Sequence, residues 1–82
     1  MEVAMTEQEY ESRIAQAQAL LSRRQHYMDG YIRGLRRFYQ GPQHGTLQDH
    51  EAWLRMAYDG DTARAERGRG YMDGVQGLRP KV

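Results

Sequence analysis

Apolar residues recur along the first half of the chain at Tyr10, Ile14, Ala17, Leu21, Met28, Tyr31, Leu35 and Phe38, alternately four and three residues apart, with Arg24 filling the one gap. That is the seam of a helix that lays one face on a neighbour. Its start is signalled twice: Thr6 with Glu9 makes a capping box, and Met5 with Tyr10 occupies the positions of a hydrophobic staple. Gly41-Pro42 signals its end. The spacing predicts one helix over about residues 7–40, about 50 Å long at the usual rise per residue.

Past a loop at Gly41 to Gly45, Thr46 followed by Asp49 opens a second helix over about residues 47–58, with Leu47, Trp53, Leu54, Ala57 and Tyr58 as its apolar face. Asp59-Gly60 closes it. Asp61 caps a third helix over about residues 62–76, stopped by Gly77 with Pro80 beyond. No stretch alternates with the period of a strand. The expected fold is a single all-α domain spanning 1–82, a long N-terminal helix packed against two shorter C-terminal helices.

The third helix carries Gly68, Gly70 and Gly74, each costing it about 1 kcal/mol relative to alanine, so packing has to offset them. Tyr27-Met28-Asp29-Gly30 returns as Tyr71-Met72-Asp73-Gly74, and Gly34-Leu35-Arg36 returns as Gly77-Leu78-Arg79, one residue closer in the second copy. Gly30 with Gly34, and Gly70 with Gly74, form small-x-x-x-small pairs and are expected at a close contact between helices. The two short helices would span only about 18 and 23 Å, about half of the long one. Tyr10, Ile14, Ala17 and Leu21, farthest from the Gly41 turn, are then the residues expected to stay exposed and to join two copies in a homodimer.

Charge changes this picture more than bulk composition does. The net charge is only +1, yet the basic residues, all but one of them Arg, are concentrated between Arg13 and Arg37 and again after Ala63. Arginine favours planar, bidentate contacts with carboxylate or phosphate. Arg23, Arg24, Arg33, Arg36 and Arg37 are interleaved with His26, Tyr27, Tyr31 and Tyr39, and Arg67-Gly68-Arg69-Gly70-Tyr71 is like the RGG segments of RNA-binding proteins. Asp29 with Arg33, and Asp73 with Arg69, can pair along a helix face and interrupt a phosphate track. Arg33, Arg36, Arg37 and Tyr39 are the residues expected to bind a partner, protein before nucleic acid.

Cysteine is absent, and with it disulfides, thiolate nucleophiles and thiolate metal ligands. Of the remaining reactive residues, His26, His44, His50, Asp49, Glu51 and Ser22, none has a neighbour at catalytic spacing. His44, Asp49 and His50 lack the spacing of a metal site. No strand precedes the glycines, as a phosphate-binding loop requires. The expectation is a non-enzymatic protein with no cofactor and no metal. No apolar run reaches membrane length and the start of the chain is acidic, so a cytoplasmic protein without membrane contact is expected.

The stretch from Tyr27 to Arg37, Gly45-Thr46 with His50-Glu51-Ala52-Trp53-Leu54, and Arg67 to Gly74 together resemble small proteins of proteobacterial phages and integrative elements. The resemblance covers residues 27–75. Such proteins include non-enzymatic inhibitors of host defence, among them anti-CRISPR proteins, which act by occupying a surface on a larger complex. The resemblance implies a phage or mobile-element inhibitor docking on a host nucleoprotein complex, and it transfers no functional residue. Many anti-CRISPR proteins are strongly acidic, and a net charge of +1 departs from DNA mimicry. The alternative reading is a dimeric nucleic-acid-binding accessory or regulatory protein.

Overall fold

The computed structural model describes residues 5–19, 24–41 and 45–81. Four helices follow in chain order: α1 (Glu7–Ala19), α2 (Gln25–Gln40), α3 (Leu47–Met56) and α4 (Thr62–Val75). Among the described residues there is no strand.

Local hydrogen bonds set the helix ends. Thr6 N–H donates to Glu9 Oε1 at 3.0 Å while Glu9 N–H donates to Thr6 Oγ1 at 3.1 Å. The Thr6 N–H bond first, and then one donated by the Thr6 hydroxyl to Glu9 Oε1 at 3.2 Å, hold the Glu9 carboxyl below its usual pKa. Thr46 Oγ1 accepts from Asp49 N–H, and Asp61 Oδ1 accepts from Ala63 N–H, each at 3.0 Å. At the end of α4, Gly77 N–H reaches Gly74 O and Leu78 N–H reaches Asp73 O, the paired bonds of a Schellman turn. Gly77 takes the left-handed backbone that this turn requires, at φ 74°.

Where the heptad run predicts one helix over residues 7–40, the chain forms two. Arg24 leaves helical geometry at φ −134°, ψ 62°. In a straight helix Tyr10 and Tyr39 would lie about 44 Å apart; their rings stack at 4.2 Å. α1 is therefore folded back on α2. The driving force is burial: a single rod would leave its apolar seam in water, whereas the fold-back buries Ala17 completely. Tyr10 and Ile14, with Met5, pack half-buried against the core of Ala17, Tyr27, Met28, Tyr31 and Leu35. The exposed seam expected of Tyr10, Ile14, Ala17 and Leu21 is thus corrected at the first three positions, and the ground for a homodimer through them goes with it; Leu21 lies outside the described residues.

α2 and α4 form the main crossing. A Cβ built on Gly30 would lie 1.9 Å from Arg67 O, on Gly34 2.3 Å from Tyr71 O, on Gly70 1.9 Å from Tyr27 O and on Gly74 2.2 Å from Tyr31 O. Contact positions rise together along both helices, so α2 and α4 run parallel. The pairing is also reciprocal: Gly30 meets the carbonyl three residues before Gly70, and Gly70 meets the carbonyl three residues before Gly30. The two Gly-Tyr-x-x-Gly segments, Gly30–Gly34 and Gly70–Gly74, are therefore related by a local twofold. Each glycine aims a Cα–H at a facing carbonyl, a weak bond common at close helix contacts. Gly68 fits instead against the backbone of Ala57, where the chain turns from α3 to α4.

Residues 78–81 then cross α2 as a strap. Tyr31 OH donates to Leu78 O at 2.6 Å, Lys81 N–H donates to Tyr27 OH at 3.0 Å and Arg24 donates to Lys81 O at 3.0 Å. Arg13 of α1 donates to Gly77 O. Arg24, polar within an apolar seam, thus has a structural task at the bend: it also pairs with Glu66 at 2.7 Å and lies 4.2 Å over the Tyr27 ring.

Candidate functional site

Arg33, Arg36 and Arg37 fall at i, i+3 and i+4 along α2, which gathers three guanidinium groups on one helix face. α3 stands across from that face, and between them lies a groove of about 630 Å³. Trp53, His50 and Asp49 of α3, Tyr71 of α4 and Ile32 and Asp29 of α2 line it together with the three arginines.

The groove is organised by stacking. The Arg33 guanidinium lies 4.8 Å over the Trp53 ring, and Trp53 packs on Tyr71 with centroids 5.6 Å apart. A cation over indole contributes about 0.5–2 kcal/mol and keeps the charge in place at the groove wall. Tyr71 is 3% exposed, and its hydroxyl is hydrogen-bonded to His50 Nδ1 at 2.7 Å. Burial holds the Tyr71 hydroxyl above the usual tyrosine pKa. Burial first, and then the Arg37 guanidinium, lower the His50 pKa from 6.5, with Glu51 opposing them. The site thus disfavours the imidazolium, and the bond to the Tyr71 hydroxyl orients the ring. Arg37 Nη1 makes a long bond to Gly45 O at 3.5 Å, while Arg33 and Arg36 are exposed. None of the three arginines forms an ion pair with a carboxylate among the described residues.

Several expected positions differ. Tyr39 is stacked on Tyr10 of α1 and does not line the groove. Asp29 pairs with Arg67 at 3.4 Å rather than with Arg33, since the α2–α4 crossing brings Arg67 alongside it. Asp73 is buried, bonded to Tyr27 OH and 3.5 Å from Lys81 Nζ, and Arg69 pairs with Glu66 at 3.3 Å. The Arg67 to Tyr71 segment is helical with Gly68 and Gly70 buried, which corrects its likeness to an extended RGG segment. Trp53, His50 and Tyr71 come to the arginines from distant parts of the chain; of the three, only Trp53 belonged to the apolar face on residues 47–58.

Among the described residues, no three His, Asp or Glu side chains gather where they could hold a metal ion. His44 and Ser22 lie outside the described residues. Glu51 is exposed. No described helix is long and apolar enough to cross a membrane.

The lowered His50 pKa has a consequence for stability. Above about pH 6.5 both folded and unfolded chains hold His50 neutral; as pH falls below that value the unfolded chain takes up the proton first, and stability drops until the folded pKa is passed. The groups facing His50 are Arg37 from α2, Tyr71 from α4 and Glu51 beside it. Urea unfolding between pH 8 and pH 5 is expected to show this loss, and His50→Gln to flatten it. An unchanged slope in the variant would exclude His50 as its source.

Comparison with protein-family models, curated proteins and solved structures finds no match to this chain.

Proposed function

We propose that this chain is a non-enzymatic binding module that docks through the α2–α3 groove on an anionic surface of a larger partner, as a small phage or mobile-element inhibitor would on a host nucleoprotein complex. The observation that carries the reading is the set of three arginines lining one concave site, none of which forms an ion pair among the described residues. Of the other basic side chains among the described residues, Arg24 pairs with Glu66, Arg64 with Asp59, Arg67 with Asp29, Arg69 with Glu66 and Lys81 with Asp73, while Arg13, Arg55 and Arg79 form no ion pair, Arg13 donating instead to Gly77 O. Charge left unpaired beside a fixed aromatic floor suits an external anion. The resemblance to mobile-element proteins supplies the host complex as the setting.

The test is affinity capture from a proteobacterial lysate by the wild-type chain and by a variant carrying Arg33→Glu, Arg36→Glu and Arg37→Glu, with circular dichroism showing equal helicity. The wild type is expected to retain a defined set of proteins that the variant loses. Equal capture by both would remove the groove from the function.

A further inference from the structure

We infer that the groove's ligand is an acidic polypeptide segment, whose Asp or Glu side chains meet Arg33, Arg36 and Arg37. The inference deepens the proposal above and rests on its reading of the groove as the docking face. Nucleic acid is the competing anion, and three features of the site disfavour it.

The first is the state of the aromatic rings. Proteins that grip single strands offer free ring faces on which bases stack. Here the Trp53 ring is engaged by Arg33 at 4.8 Å and by Tyr71 at 5.6 Å, and Tyr71 is itself 3% exposed and tied to His50. The Trp53 ring braces Arg33, and the two rings leave little surface for a base.

The second is the shape of the charge. The three arginines share one helical turn, with Cβ atoms about 5–6 Å apart, which makes a cluster rather than a track. Asp29 and Asp49 line the same groove, so a phosphate backbone laid along the cluster would meet carboxylates. Phosphates repel those carboxylates. A peptide does not, because its backbone N–H groups can donate to them while its side-chain carboxylates turn to the guanidinium groups.

The third is size. A cavity of about 630 Å³ lies within the range that encloses a compact ligand, and a short run of side chains fills such a space, whereas a double helix stays outside it. The Ile32 and Trp53 side chains in the lining offer apolar contact to the stems of Glu residues.

The probes are poly-L-glutamate, an oligo-dT of matched charge and a random-sequence DNA duplex, each titrated into the full-length chain at 50 and 200 mM salt. Trp53 is the only tryptophan, so its indole N–H resonance reports the groove without ambiguity. Poly-L-glutamate is expected to shift that resonance and to raise the pH at which the His50 ring titrates, since an anion beside it favours the imidazolium. Arg36→Gln, at an exposed position, is expected to weaken this binding about tenfold without altering the fold, and Arg36→Lys to restore part of it.

Tighter binding of oligo-dT or duplex at the same resonances, lost in Arg36→Gln, would overturn the polypeptide assignment while leaving the groove as a docking face. If no anion shifts Trp53, the polypeptide assignment falls. Equal lysate capture by the wild type and the charge-reversed variant would bring down the underlying reading as well.

Discussion

Gly70→Ala is expected to lower the free energy of unfolding by about 3 kcal/mol, measured as a shift of the urea midpoint at constant slope. The sign is not obvious from local propensity, because alanine in a helix interior is favoured over glycine by about 1 kcal/mol. The position of the obstacle decides it. The added methyl would stand 1.9 Å from Tyr27 O and 2.8 Å from Tyr31 N, both backbone atoms of α2 that cannot rotate aside. To clear it, the two helices would have to separate by more than about 1 Å, opening the tightly packed interior beside them. Against a total of about 4–12 kcal/mol expected for 82 residues, that loss is large. Gly34→Leu, with more atoms facing Tyr71 O, is expected to do still more damage. Gly60→Ala is the control, because nothing lies within 4 Å of its added methyl. Wild-type stability in Gly70→Ala would mean that α2 and α4 do not approach in this way.

The same crossing explains where sequence reading reached its limit. The repeat that stands out by identity, Tyr-Met-Asp-Gly at 27–30 and 71–74, is not in the frame of the structure, in which Gly30 corresponds to Gly70 and Gly34 to Gly74. Steric fit matches small residues at equal heights, and the Gly-Tyr-x-x-Gly pattern at that offset was the signal. The break between α1 and α2 was hidden for a different reason. Heptad spacing records which face is apolar, and it reads the same whether the seam meets another helix or the chain doubles back on itself. Arg24 was the only discordant residue, and it sits at the bend. Arg33, Arg36 and Arg37 were legible as one basic face because helical spacing alone places them together. Their setting was not, since Trp53 and Tyr71 arrive through tertiary contacts that no local pattern encodes.

Tyr27→Phe is expected to cost about 2–3 kcal/mol although it removes a single oxygen from a ring that otherwise packs unchanged. That oxygen links two elements. Tyr27 OH donates to Asp73 Oδ2 at 2.5 Å and accepts Lys81 N–H at 3.0 Å, which ties α2 to α4 and to the strap. Asp73 is only 9% exposed, so without the hydroxyl its carboxylate keeps the cost of burial and loses its closest donor. Lys81 Nζ, at 3.5 Å from the other carboxylate oxygen, remains but is largely in solvent. Adding Asp73→Asn to Tyr27→Phe is expected to recover part of the loss, giving a coupling of about 1 kcal/mol or more in a double-mutant cycle. Hydrogen exchange should locate the effect: the Lys81 amide loses protection, while α3 and the Trp53 environment do not change. Alkaline pH gives an independent check. Burial first, and then the bond to Asp73, push the Tyr27 pKa well above 10.0, so the folded chain keeps this hydroxyl protonated where the unfolded chain ionises it. Its contribution is complete below about pH 10 and is lost as pH rises toward the folded pKa. Tyr31 and Tyr71, also raised by burial, keep part of that alkaline loss in Tyr27→Phe. A variant with the same stability and the same alkaline slope as the wild type would show that the strap is not held by this oxygen.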